Sequence, residues 1–204
     1  MIKNKILLSE NFVDPDPFIQ FEHWYRDQLS SRIPVPNYVS LGTATKNGYV
    51  SLRIVLLKEF NKKGFVFFSN YQSRKGTHLE SNPSAALLLY WPESARQIRI
   101  EGTVCKVSPK ESDLYFNSRP EENRIAAWAS DQSSTIPDRQ YLEDRFEFFR
   151  NKFNNKPIAR PPVWGGYRLI PSWFEFWQER TFRLHDRITY TQKAGKWVIE
   201  RLAP

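Results

Sequence analysis
The sequence predicts a mainly β fold, an antiparallel barrel or sandwich with helices at its flanks. Three observations predict it. Short runs rich in β-branched and aromatic residues recur along the chain, and tight-turn signals join many of them. Helical stretches opened by serine or proline interrupt these strands instead of alternating with them. The 204 residues suffice for one domain with a sizeable core. No repeat, low-complexity segment or interdomain linker divides the chain, so 1–204 reads as a single domain.

Residues 1–13 carry no anchoring pattern and are expected to be mobile, with a lid as one possible use. Asp16 can cap a helix that Pro17 begins, with Phe18, Phe21, Tyr25 and Leu29 as its apolar stripe and Trp24 beside them. Strands are predicted over 38–45 and 49–57 around Lys46-Asn47-Gly48, because Asn-Gly takes the positive φ that hairpins require. Asn61-Lys62-Lys63-Gly64 turns the chain into a strand over 65–70. Further strands fit 85–91, 96–107, 163–170, 172–178, 187–191 and 196–202. Helices fit 73–80, 108–118 behind the capping box Ser108-Pro109-Lys110-Glu111, 120–128, and an amphipathic stretch from Pro137 to about Phe153.

Lys+Arg 30 against Asp+Glu 22 gives a net charge of +8, which favours anionic partners. Nucleic acid, acidic lipid and a phosphorylated small molecule suit that charge equally. Cys105 is the one cysteine, so an intramolecular disulfide and a cysteine-rich metal site are excluded; it is expected to pack within its strand. The apolar run near Met1 is too short for a signal sequence, and no later stretch could span a bilayer, so a soluble cytoplasmic protein is expected.

Two basic segments suit phosphate. Arg53 and Val55 share a strand face, with Lys58 at the strand end. Ser73-Arg74-Lys75-Gly76 places cations at a helix N-terminus, where free N–H groups and the dipole also attract anions. Read alone, the second is equally a solvated turn. Tyr115 and Arg119 are four apart, which on a helix is an ordinary surface pair. Near the C-terminus, an extended chain puts Arg183, His185 and Arg187 on one face close to Trp177. Such a face suits a flat anionic ring, or is simply a solvated basic edge.

The stretch Glu175-Phe176-Trp177-Gln178, four intervening residues, then Arg183-Leu184-His185-Asp186-Arg187, resembles the C-terminal signature of the pyridoxamine 5′-phosphate oxidase family. The resemblance extends over roughly 16–204, including the closing Arg201-Leu202-Ala203-Pro204. It implies an antiparallel FMN-binding split β-barrel, with residues 163–204 completing sites shared between the two subunits of a homodimer. FMN contacts are implied for Arg53, Ile54, Val55, Leu56, Leu57, Lys58, Phe68, Ser69, Arg74, Lys75, Gln97, Gln132, Ser133, Trp177 and Arg187. Substrate contacts are implied for Lys58, Tyr115, Arg119, Asn123, Arg183, Leu184 and His185, with Arg183 and His185 as the catalytic pair. No metal is implied. Several residues depart from the pattern: Phe68 and Ser69 stand where tyrosine and threonine are frequent, Asn123 where serine is frequent, and Glu179 where many members have glycine.

The implied reaction is oxidation of pyridoxine 5′-phosphate and pyridoxamine 5′-phosphate to pyridoxal 5′-phosphate. A hydride leaves the C4′ carbon for FMN, and O2 reoxidises the flavin to give H2O2. Three alternatives stand beside it. One is a related flavin oxidase of the phenazine-pathway type, against which Tyr115 and Arg119 argue because they suit a phosphorylated substrate. Another is a non-catalytic split barrel binding flavin or haem. The third is a basic nucleic-acid-binding barrel, which needs a continuous groove where these cations fall into phosphate-sized clusters. No nucleic-acid or membrane partner is expected.

Overall fold
A computed structural model describes residues 8–30 and 37–204. Of the expected mobile segment, 1–7 lies outside these residues, and 8–13 is docked. Leu8 is buried, Val13 packs on the core, and Glu10 pairs with Arg201. Helix α1 (Pro17–Ser30) starts as predicted, with Asp16 Oδ1 accepting from the Phe18 N–H at 2.9 Å. Phe21 and Trp24 enter the core, but Leu29 of the expected stripe is exposed.

Strands β1 (Tyr38–Ala44) and β2 (Val50–Leu56) form the predicted hairpin, with Gly48 at φ 83°. A short strand not foreseen, β3 (Glu59–Asn61), pairs with β4 (Gly64–Asn70). Helix α2 (Arg74–Ser81) leads to β5 (Ser84–Trp91) and β6 (Arg96–Lys106). Cys105 lies in β6 but is exposed, so it does not pack. Helices α3 (Pro109–Asn117), α4 (Glu121–Ala129) and α5 (Arg139–Phe153) follow. The capping box at Ser108 and Glu111 forms as predicted.

The predicted strands 163–170 and 172–178 are one strand, β7 (Trp164–Gln178). Proline at 171 suggested a break, since it cannot donate to a ladder. Instead β7 carries an extra residue, Ser172, opposite the Glu101–Gly102 step of β6, a bulge that lets the ladder continue past the proline. Gly102 is needed at the bulge, because a Cβ would sit 2.1 Å from the Ile170 carbonyl oxygen. Along one edge, β7 pairs with β4 before this point and with β8 (Asp186–Lys193) after it; β9 (Lys196–Arg201) extends β8.

The sheet runs β2-β1-β5-β6-β7-β4-β3, all pairings antiparallel. Lys58 N–H donates to Val66 O at 2.9 Å, drawing the end of β2 towards β4. The core contains Leu41, Phe65, Leu87, Ile98, Phe174 and Phe176, with α1 packed against it. A smaller apolar cluster of Phe116, Ile125, Ile158 and Trp164 lies beneath the helices. Among the described residues, no helix is long and apolar enough to cross a membrane.

Candidate functional site
Three elements and a loop bring one set of basic and hydroxyl groups together. Inward-facing Arg53 on β2 donates from Nη1 to Leu41 O at 3.0 Å and Thr43 Oγ1 at 2.7 Å. Lys75, in the first turn of α2, donates from Nζ to Ser69 Oγ (3.0 Å), Ser73 Oγ (3.2 Å) and Gln132 Oε1 (2.9 Å). Ser69 Oγ also donates to Gln132 Oε1, at 3.1 Å. Gly76 lets α2 press against the preceding turn, since a Cβ there would lie 2.0 Å from Tyr71 O.

Every partner of these cations is neutral. Among the described residues, neither Arg53, Arg74 nor Lys75 pairs with a carboxylate. Burial, then the charge of Arg53, pushes Lys75 down to about 8 from 10.5. Burial, then Arg74, lowers Arg53. Half-buried cations that repel one another, in a nest of hydroxyls, form a site that a phosphate dianion would complete. Val55 and Leu57 point into the core, so any contact they make with a ligand is through backbone; Ile54 and Leu56 face outward. Exposed Ser133 follows Gln132 with φ 75°.

A second basic group lies close by, across Phe68. The Tyr115 ring stacks on Phe68 at 3.9 Å and is nearly parallel to Trp164 at 6.1 Å. The Arg119 guanidinium sits 4.6 Å from the Trp164 ring centre, and its buried Nη1 has no hydrogen-bond partner among the described residues. Burial lowers its pKa. Lys58 Nζ is 5.8 Å from the Tyr115 ring, beside a cleft of about 190 Å³ that Phe68, Leu114 and Tyr115 line together with Glu59 and Glu111, the latter paired with Arg168. Arg119 lies just beyond α3, which ends at Asn117, and stands beside Tyr115 on the Trp164 side, outside the lining of that cleft. Asn123 is exposed in the first turn of α4. Trp164, the platform shared by Tyr115 and Arg119, was not singled out from sequence; its only signal was an aromatic at the head of a predicted strand.

The C-terminal motif departs from expectation. Arg183 does not continue a strand: residues 181–183 form a 3₁₀ turn with Phe182 at φ 58° and Arg183 at φ 62°. Arg183, His185 and Arg187 therefore do not share one extended face. What shares a face is the cross-strand row Gln97–Trp177–Arg187 on β6, β7 and β8. The His185 ring lies 4.6 Å from Trp177, and its Nδ1 accepts from the Arg180 N–H at 3.2 Å. That bond leaves Nε2 as the nitrogen that carries the proton in the neutral ring. Arg187 donates Nε to buried Glu175 at 2.7 Å and Nη1 to Ala203 O at 2.9 Å, leaving Nη2 for a ligand. Arg183 and Leu184 are exposed, and so is Glu179, whose N–H is tied to Ala95 O.

Within the chain, the cradle of Arg53 and Lys75 and the C-terminal motif lie towards opposite ends of β7. Ser69 pairs with Gly165 at one end of β7, and Trp177 stands twelve residues (177 − 165) further along. That is roughly 40 Å of strand contour at about 3.3 Å per residue.

Comparison with known proteins adds an independent line. A family model described as pyridoxamine 5′-phosphate oxidase matches residues 25–153. Another, described as pyridoxine 5′-phosphate oxidase C-terminal dimerisation region, matches residues 164–204. A relative from Nostoc sp. is 52% identical over 198 residues, 97% of this chain and 92% of its own. One from Paraburkholderia phymatum is 54% identical over 193 residues, 94% and 91%. Both are named pyridoxine/pyridoxamine 5′-phosphate oxidase. Among solved structures, PhzG from Burkholderia lata 383, in complex with tetrahydrophenazine-1-carboxylic acid, superimposes with a TM-score of 0.91 at 30% identity, covering 98% of each chain. A pyridoxamine 5′-phosphate oxidase-related FMN-binding protein from Nostoc punctiforme shares the fold, with a TM-score of 0.68 at 17% identity over 92% of this chain and 95% of its own.

Proposed function
Because the chain belongs to the pyridoxamine 5′-phosphate oxidase family of oxidoreductases, we propose that it oxidises pyridoxamine 5′-phosphate and pyridoxine 5′-phosphate to pyridoxal 5′-phosphate, with FMN as cofactor and O2 as acceptor, releasing H2O2. The observation that carries this reading is the pair of neighbouring basic groups without carboxylate partners, one for each phosphate the reaction requires. Bound FMN supplies the two-electron oxidation that no side chain can.

The chain's own residues bind and orient. Arg53, Arg74 and Lys75, with Ser69 and Gln132, hold the FMN phosphate. Lys58, Tyr115 and Arg119 hold the substrate phosphate, and the Tyr115–Phe68 stack walls the cleft against water. Arg183 and His185 are the catalytic residues: they hold the substrate ring, and His185 can carry a proton at Nε2 while Arg180 fixes Nδ1. Positioning of this kind provides rate through proximity.

The long contour between Ser69 and Trp177 supports a homodimer in which the C-terminal ribbon of a second copy completes each site. An exposed apolar stripe on edge strand β2, with Val50 75%, Leu52 68% and Ile54 58% exposed, is a surface that a second copy would cover. The similarity to PhzG favours one other reading, a phenazine-type substrate. The buried, unpartnered Arg119 Nη1 beside Tyr115 speaks for a phosphorylated one.

The test is to incubate the purified, FMN-loaded protein with each vitamin B6 phosphate in air and follow pyridoxal 5′-phosphate and peroxide. Stoichiometric appearance of both is expected. A flavin-loaded protein that makes neither would move the assignment to the phenazine-type reaction.

A further inference from the structure
Behind the FMN-phosphate cradle lies a buried polar chain that the binding residues alone do not explain. Thr43, on β1, and His78, on α2, are both nearly inaccessible to solvent. The Thr43 hydroxyl accepts from Arg53 Nη1 at 2.7 Å and lies 3.3 Å from His78 Nδ1. A hydroxyl has one proton and two lone pairs; with one lone pair taken by the guanidinium, it still has a hydrogen bond to make with His78 Nδ1, whose tautomer sets the direction. Leu41 O takes a second bond from the same Arg53 nitrogen. Two acceptors on one nitrogen fix the guanidinium plane, and the described residues give the other two nitrogens no hydrogen-bond partner.

We propose that Thr43 and His78 are positioning residues that lock the Arg53 guanidinium with its free edge towards the FMN phosphate. With His78 protonated on Nε2, the Thr43 hydroxyl donates a hydrogen bond to His78 Nδ1 and becomes a stronger acceptor for Arg53, and the three bind β1, β2 and α2 into one rigid cradle. His78 lies on the helix that carries Arg74 and Lys75, so the relay also sets the spacing between the three cations. The inference rests on the FMN reading, and the choice of ligands separates the two.

The experiment measures equilibrium binding of FMN and of riboflavin, which lacks the phosphate, to the apoprotein by flavin fluorescence. Thr43→Val keeps the shape and removes the hydroxyl. It is expected to weaken FMN about tenfold, the low end for a hydrogen bond to a charged group, and to leave riboflavin unchanged. Thr43→Ser restores FMN binding. In an Arg53→Lys background, Thr43→Val has no further effect. Should Thr43→Val fail to fold, His78→Asn carries the test, with a smaller loss for FMN alone. Unchanged FMN affinity in Thr43→Val, or equal losses for FMN and riboflavin, overturns the relay. Wild-type protein that does not bind FMN overturns the cofactor reading instead.

Discussion
The cradle at β2, β4 and α2 and the ribbon at β7, β8 and β9 are both rich in arginine, yet they treat the charge in opposite ways. In the ribbon, cations meet carboxylates within the chain. Glu175, almost wholly buried, lies between Arg99 and Arg187; Asp186 pairs with Arg180 and Arg201; and Arg201 also holds Glu10. In the cradle, Arg53, Arg74 and Lys75 meet, among the described residues, only neutral oxygens or none. Paired cations brace a structure, whereas half-buried cations such as Arg53 and Lys75, left without counter-ions, store repulsion that an anion releases. The position of the carboxylates, more than that of the arginines, separates scaffold from binding site.

The largest effect should come from the cradle. Arg53→Ala removes the guanidinium edge, and at roughly 1.5–3 kcal/mol for each charge-assisted hydrogen bond the FMN dissociation constant should rise about 100-fold. Thermal stability should fall by much less than affinity, because the lost bonds to Leu41 O and Thr43 are offset in part by the repulsion with Arg74 and Lys75 that is relieved. Titration of the apoprotein with FMN, beside a melting curve, checks both halves. A large drop in melting temperature with little change in affinity would put Arg53 among the braces.

Within the ribbon, the contrast lies between two arginines four residues apart. Arg183 is exposed on a turn, while Arg187 is tied to Glu175 and Ala203. Arg183→Ala should lower turnover about 100-fold through misplacement of the substrate ring, with the bound-flavin spectrum and the melting temperature intact. Arg187→Ala leaves buried Glu175 with Arg99 as its remaining cation. It should cost about 2 kcal/mol of stability, less than the loss of an isolated buried pair because Arg99 still compensates the charge. Steady-state rates and denaturant midpoints on both variants distinguish the roles. Equal loss of stability in the two would erase the distinction.

This contrast also marks how far the residues could be read directly. Strand runs, the Asn47-Gly48 turn and the Ser108 capping box are set by local chemistry, and they stand where local chemistry puts them. The chain reads as two strands on either side of Pro171 because the bulge at Ser172 that keeps them one ladder is set by pairing with β6, which no local pattern records. The segments of Arg53 and Lys75 were legible as phosphate-suited from their own chemistry, but Gln132, and the joining of the three, only through family resemblance, since their convergence links segments up to 79 residues apart (132 − 53). The φ of 62° at Arg183 was not legible, because positive φ is rare for a residue with a side chain and nothing near it signals a turn. Thr43 and His78 carry no motif; only burial and distance single them out.

The smallest effect is a pH slope, and its sign follows from Lys75. In the folded, ligand-free chain Lys75 titrates near 8 instead of 10.5, so between those values the unfolded chain holds more protons. Stability from this group should therefore rise with pH across that window. FMN binding should move the opposite way. A phosphate dianion restores the charged ammonium, so above pH 8 each binding event takes up a proton, and affinity should fall by up to about tenfold per pH unit. The phosphate's own second ionisation, near pH 6, is complete by then and adds no slope. Lys75→Arg, which keeps its charge throughout this range, should bind FMN with a flat profile from pH 7 to 9. A wild-type affinity equally flat over that range would mean that Lys75 is not the cation facing the phosphate, and that the cradle's charge rests on Arg53 and Arg74.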